Sequence, residues 1–220
     1  MRFSRFFVIG ITFLVVVGGC GDVSEPDPST TATVGVLASG CSLVAAFGTG
    51  VAVAPDLVAT SAHTVAGASD VVVIDQSGTE RGAEVVGFDP RQDVAILSVP
   101  EAGPYSALGQ IDKGDIGLLV TWHPDRAFEN VDVIVTRLLR VTIEDIYVKG
   151  STERLAFEIE ADVTRGDSGG PVFTADGEVA GIIYATSRER DGVGFVLRSD
   201  EIAAVIARVD GRAVDNGRCP

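Results

Sequence analysis

From Val34 onward the chain is a succession of short apolar segments, each closed by a turn signal before it could wind into a long helix. LVAAFGTGVAVA, LVATS, DVVVID, GAEVVGFD and VAILSV come first, punctuated by Pro55-Asp56, Ser77-Gly78 and Asp89-Pro90. Runs rich in Val, Ile and Phe between Gly, Pro and Asp are strand patterns, because β-branched side chains suit a pleated surface and the flanking residues suit turns. A connecting stretch, EAGPYSALGQIDKGD, precedes a second set: IGLLVTWH, VDVIVTRLLRVTI, LAFEIEA, PVFTA, EVAGIIYAT and GVGFVL, with Ala175-Asp176-Gly177 as a hairpin turn. The pattern predicts an all-β fold of two antiparallel barrels, the first over about 34–100 and the second over about 110–198. SDEIAAVIARV breaks the period: Ile202, Val205, Ile206 and Val209 share one helical face, with Ser199 as N-cap and Asp200 and Glu201 in the first turn. A terminal helix is therefore expected over about 199–209.

A chain of 220 residues, 46% of them hydrophobic, can build one domain or two tightly packed halves. Acidic residues outnumber Lys and Arg by 31 to 17, and the formal charge of −14 repels phosphate backbones, which argues against nucleic-acid binding. The N-terminus, MRFSRFFVIGITFLVVVGGC, reads as an export signal: two arginines, then an apolar run from Phe6 to Val17 too short for a comfortable transmembrane helix. Val17-Gly18-Gly19-Cys20 resembles a bacterial lipobox. Residues 1–19 are then a lipoprotein-type signal peptide, and Cys20 carries the lipid that anchors the mature chain at the outer face of the cell membrane. An ordinary signal peptide, giving a secreted protein, or an uncleaved anchor is the alternative. GDVSEPDPSTTAT, almost without apolar residues, makes residues 20–33 a flexible tether.

VTRGDSGGPV, residues 163–172, surrounds Ser168 with glycine. Such a segment is either a tight turn and nothing more, or a turn that exposes a nucleophile and aims backbone N–H groups at a substrate oxygen. The second reading requires a base and a carboxylate, since a serine hydroxyl is barely nucleophilic at neutral pH. The chain has two histidines. His63 follows two apolar strands, in TSAH; His123, in TWHPDRAF, reads as a loop histidine beside a half-buried Trp122. His63 is the better base, and Asp93, at the mouth of the apolar strand DVAIL, is placed to be buried and still reach an imidazole. TSAH, DVAIL and GDSGGP, in that order, resemble the signatures of the trypsin-like, chymotrypsin-fold serine proteases, over roughly residues 34–209. The GTGVAV before SAH and the compact spacings are closer in pattern to bacterial HtrA-like and mycobacterial MarP-type periplasmic proteases.

The resemblance implies two six-stranded antiparallel β-barrels and a Ser168-His63-Asp93 triad acting as nucleophile, base and orienting carboxylate. It further implies an oxyanion hole from the N–H groups of Gly166 and Ser168, and a turn-supporting role for Asp167. In trypsins the matching aspartate pairs with a new N-terminal amine, but no corresponding junction occurs in this sequence. Asp167 must then find an arginine, backbone N–H groups or an ordering ligand, and activity without propeptide removal is expected. Asp162 and Gly194 match the base and wall of the primary specificity pocket, which implies cleavage after Arg or Lys, although HtrA-like relatives often prefer aliphatic residues. With Cys20 lipidated, Cys41 and Cys219 remain in an exported chain, where oxidising conditions favour a disulfide; MarP-type proteases carry a comparable link, and the alternative is two free thiols. No ligand cluster or phosphate loop is apparent, so neither metal nor cofactor is expected, only a protein or peptide substrate. An esterase with the same triad and a catalytically silent binding module on a protease fold are the other two functional readings.

Overall fold

The computed structural model describes residues 28–220. The export signal and Cys20 lie outside the described residues. A short helix, α1 (Pro28–Thr31), leads into β1 (Thr33–Ser39), β2 (Ala46–Ala54), β3 (Leu57–Thr60), the one-turn helix α2 (Ala62–Val65), β4 (Asp70–Ile74), β5 (Glu80–Gly82), β6 (Glu84–Asp89) and β7 (Val94–Ser98). After the connection come β8 (Ile116–His123), β9 (Ala127–Glu144), β10 (Ser151–Glu160), β11 (Pro171–Phe173), β12 (Val179–Thr186), β13 (Val193–Arg198) and α3 (Ser199–Ile206). The second half closes into a six-stranded barrel in the order β10-β13-β12-β11-β8-β9. The first half is a seven-stranded antiparallel sheet, β5-β4-β1-β2-β3-β7-β6. Two of its strands lie outside the expected segments, β1 and the edge strand β5, whose sequence ERG has no apolar run to announce it. The expected tether is shorter at its far end: Ala32 and Thr33 are buried, and the Ala32 carbonyl accepts the Ala52 N–H at 2.8 Å.

Val36, Val51, Val58, Ile96 and Leu97 fill the first half, and Phe157, Ile159, Ile183 and Val196 the second. Ile202 and Val205 of α3 join the first of these cores, so the terminal helix packs its predicted apolar face inward. Its N-cap is Arg198, one residue earlier than expected; the Ser199 hydroxyl instead donates to the Gly109 carbonyl at 2.6 Å, tying the helix to the connecting stretch. Trp122 is buried rather than half-buried. Its ring lies against β1 at Gly35, where a Cβ would come within 2.3 Å of it.

Candidate active site

Strand register brings Asp93 to His63. β3 pairs with β7 so that Thr60 faces Ala95. Two residues beyond this pair on each side, the Ala62 N–H donates to the Asp93 carbonyl at 3.2 Å. Asp93 adopts φ 63°, a backbone conformation that Asp tolerates better than most residues. This turn points its carboxylate back under α2, where it accepts the main-chain N–H of His63 at 2.9 Å and faces Nδ1 at 2.8 and 3.0 Å. A carboxylate can only accept, so Nδ1 carries the proton and Nε2 keeps its lone pair. Burial pushes the His63 pKa down, but the charge and hydrogen bond of Asp93 outweigh it, and the net shift is upward from the ordinary 6.5. The side chain of His63 remains 34% exposed while that of Asp93 is 6% exposed.

Ser168 lies on the turn between β10 and β11, and its neighbours press this turn against the strand that leads to His63. The Ser168 carbonyl accepts the Thr49 N–H at 2.8 Å, and a Cβ on Gly169 would stand 2.0 Å from the Thr49 carbonyl oxygen and 3.1 Å from the Ser61 nitrogen. Gly169 (φ 83°) and Gly166 (φ 106°) therefore combine a left-handed backbone with a contact that admits no side chain. From the other side the Gly169 N–H donates to Ile183 of β12 at 2.7 Å, and the Ile183 N–H to the Gly170 carbonyl at 2.8 Å. Among the described residues the Ser168 hydroxyl and the N–H groups of Gly166 and Ser168 have no hydrogen-bond partner. The site thus holds a free hydroxyl, two free donors flanking Asp167 and an imidazole with a free Nε2.

Three residues outside TSAH, DVAIL and GDSGGP hold these parts together. Thr49 donates its hydroxyl to the Gly166 carbonyl at 3.2 Å and accepts the Trp122 N–H at 2.8 Å, linking β2, β8 and the Ser168 turn. Arg154 of β10 is buried, donates to the Arg91 carbonyl at 2.9 Å beside the Asp93 turn, and lies 5.2 Å from the centre of the Tyr184 ring. His123 is not in a loop: it is the last residue of β8, buried, with Nε2 2.8 Å from Asp167 Oδ1. Asp167 therefore has its partner within the chain, and the sequence expectation of an arginine or backbone donors is met only in the Thr164 N–H, 2.6 Å from Oδ2.

Asp162 is exposed, and its Oδ1 lies 3.6 Å from where a Cβ on Gly192 would stand. Gly194 is buried under Val163, whose Cγ2 is 2.6 Å from the position of an added Cβ. An open groove of about 1120 Å³ runs between β9 and the β12–β13 hairpin, lined by Leu139, Ile143, Tyr184, Thr186 and Arg190 among others. On its wall Arg137 and Arg190 both pair with the buried Glu158, and the hydrogen bonds from Arg190 do most to hold that carboxyl far below the ordinary glutamate range. Cys41 and Cys219 form a disulfide with their Cα atoms 5.6 Å apart.

The family profile of the trypsin-like peptidase domain matches residues 48–182. Serine protease Rv3671c of Mycobacterium tuberculosis (strain ATCC 25618 / H37Rv) is 34% identical over 179 residues, covering 78% of this chain and 44% of that protein. The "Probable periplasmic serine endoprotease DegP-like" of Halomonas elongata is 32% identical over 162 residues, 70% of this chain and 33% of the relative. The chain thus spans less than half the length of these curated relatives. The active-form crystal structure of the Rv3671c protease superposes with a TM-score of 0.82 at 28% identity, covering 96% of this chain and 99% of that one. Its inactive form gives 0.73 at 29% identity, covering 83% and 91%.

Proposed function

The chain belongs to the trypsin-like peptidase family, and from that premise we propose that it is an exported serine endopeptidase. Ser168 Oγ attacks the scissile carbonyl while His63 Nε2 takes its proton; the imidazolium then protonates the leaving amine, and the acyl group stays on Ser168. Water repeats the sequence on the acyl-enzyme, giving its proton to His63 and releasing the acid and the free hydroxyl. Asp93 fixes the Nδ1–H tautomer and balances the charge on the ring. The N–H groups of Gly166 and Ser168 receive the developing oxyanion, each such donor worth about 3 kcal/mol in the transition state. The observation that carries the reading is the double hold of Asp93 on His63 beside a Ser168 hydroxyl left without a partner. The surface position of Asp162, with Val163 over Gly194, supports a small aliphatic primary residue in the substrate rather than Arg or Lys. Periplasmic naming among the relatives supports action outside the cytoplasm, and the lipobox-like Val17-Gly18-Gly19-Cys20 supports a tether through a lipid on Cys20.

Fluorophosphonate labelling of the wild-type chain beside Ser168→Ala tests the reading. Labelling that disappears in the variant is expected; an unlabelled wild type means a silent protein on a protease fold. Profiling the wild type on a peptide library and on simple esters then separates peptidase from esterase. Cleavage after Arg or Lys would return Asp162 to the pocket.

A further inference from the structure

We propose that His123 is a positioning residue for the peptidase reaction proposed above: acting through Asp167, it holds the Gly166–Ser168 turn in the conformation that presents both N–H groups to a substrate carbonyl. The carboxylate of Asp167 is clamped from two sides, by His123 on Oδ1 and by the Thr164 N–H and hydroxyl on Oδ2, at 2.6 and 3.1 Å. Its residue is 5% exposed. A buried carboxylate is costly unless paired and hydrogen-bonded, so removing the imidazole favours swinging Asp167 toward water. The Ser168 N–H lies in the peptide unit that follows Asp167 and the Gly166 N–H in the unit before Gly166, one residue further back, and that swing would turn the backbone between them and carry them out of alignment. His123 is also held from outside the turn: it ends β8, faces Ala127 across the β8–β9 hairpin, and meets the edge of the Phe47 ring of β2 at 6.0 Å. Gly166 packs directly on it, an added Cβ standing 2.8 Å from His123 Cε1. Because Asp167 accepts, Nε2 bears the proton, and one Arg126 guanidinium nitrogen lies against the ring, 3.2 Å from Nδ1 and 3.3 Å from Nε2. Arg126, from the hairpin loop, thus backs the imidazole and reaches Glu129 at 3.4 Å. In the order Arg126, His123, Asp167, oxyanion turn, His123 and Asp167 are buried and Arg126 is exposed at the outer end.

The experiment compares His123→Gln, whose amide nitrogen can take the place of Nε2, with His123→Asn and His123→Ala, which cannot reach Asp167. Measured on the full chain with a peptide amide selected on the wild type, kcat should fall about 100-fold in the Ala and Asn variants, the loss expected for a misplaced oxyanion donor, while KM changes less than about threefold. The Gln variant should stay within about tenfold of wild type. The second-order rate of fluorophosphonate labelling at Ser168 should follow kcat. If the Ala variant does not fold, the Gln and Asn pair, matched in polarity, decides by its kcat ratio. Wild-type kcat in the Ala or Asn variant, an effect on KM alone, or equal losses for Gln and Asn would overturn the positioning role and leave the peptidase reading intact. A wild type that neither labels nor hydrolyses would overturn both.

Discussion

Asp93 holds His63 twice, once by the main chain and once by the ring, and the two contacts have separable consequences. The ring contact raises the His63 pKa against the downward pull of burial. The free base is needed for catalysis, so kcat/KM should fall as pH drops through a value above 6.5. Asp93→Asn keeps a residue that tolerates positive φ and a partner for the main-chain N–H, but removes the charge. It should lower kcat by roughly 10⁴-fold, as when the orienting carboxylate of such a triad is lost, and move the acid limb downward because burial is then unopposed. A pH-rate profile of wild type and variant checks both; an unmoved limb would contradict the assignment of that limb to His63. Stability carries the opposite sign from activity. A raised folded-state pKa contributes stability that is complete below 6.5 and is lost as pH rises through the folded value.

Between β2 and β8, one hydroxyl joins elements that are far apart in the chain. Thr49 Oγ1 donates to Gly166 and accepts from the buried Trp122 N–H, so Thr49→Val keeps the shape and strands that N–H. A cost of about 2 kcal/mol is expected from the unpaired buried donor, read as a lower denaturation midpoint, with slower fluorophosphonate labelling because the Ser168 turn loses an anchor. An unchanged midpoint would mean that water replaces the hydroxyl. Elements of this kind mark where sequence legibility ends. The apolar run of β8 up to Trp122 was readable as a strand, and the motifs around His63, Asp93 and Ser168 were readable too, because each carries its signal locally, whereas β1 (Thr33–Ser39) was not among the expected strands. Thr49 sits within a glycine-flanked run that says strand and nothing of its partner 117 residues away. His123 was read as a loop residue because the following Pro124 signals a break; burial comes from the Phe47 and Gly166 packing that only the assembled halves provide. The N-cap of α3 shifted by one residue for the same reason, since the Gly109 carbonyl competes for the Ser199 hydroxyl.

At the scale of the whole molecule, the Cys41–Cys219 bridge closes a loop with a sequence separation of 178 and fastens the chain's end to the first half. The tail it secures is not idle. Asn216 donates to the carbonyls of Val65 and Ala68 at 2.8 and 2.9 Å, and the Gly67 N–H donates back to Asn216 at 3.0 Å, so the segment after α3 braces the helix that bears His63. Tyr147, from the β9–β10 connection, donates to the Arg218 carbonyl at 3.1 Å and stacks with the Arg218 guanidinium at 5.1 Å, holding the same tail from the second half. On the chain-entropy account a loop this long stabilises by up to about 5 kcal/mol, less whatever the unfolded chain retains in structure. Reduction, or the Cys41→Ser and Cys219→Ser pair, should therefore lower the denaturation midpoint strongly. Because the freed tail is the brace of α2, amide exchange around Gly67 and Ala68 should speed up well before global unfolding. Activity should decline with the loosening of His63, although neither sulfur touches the triad. Equilibrium unfolding with and without reductant, followed by hydrogen exchange on the reduced native protein, separates the two effects. Equal midpoints would remove the entropic contribution, and unchanged exchange at Gly67 would mean that the tail stays docked through Asn216 and Tyr147 alone.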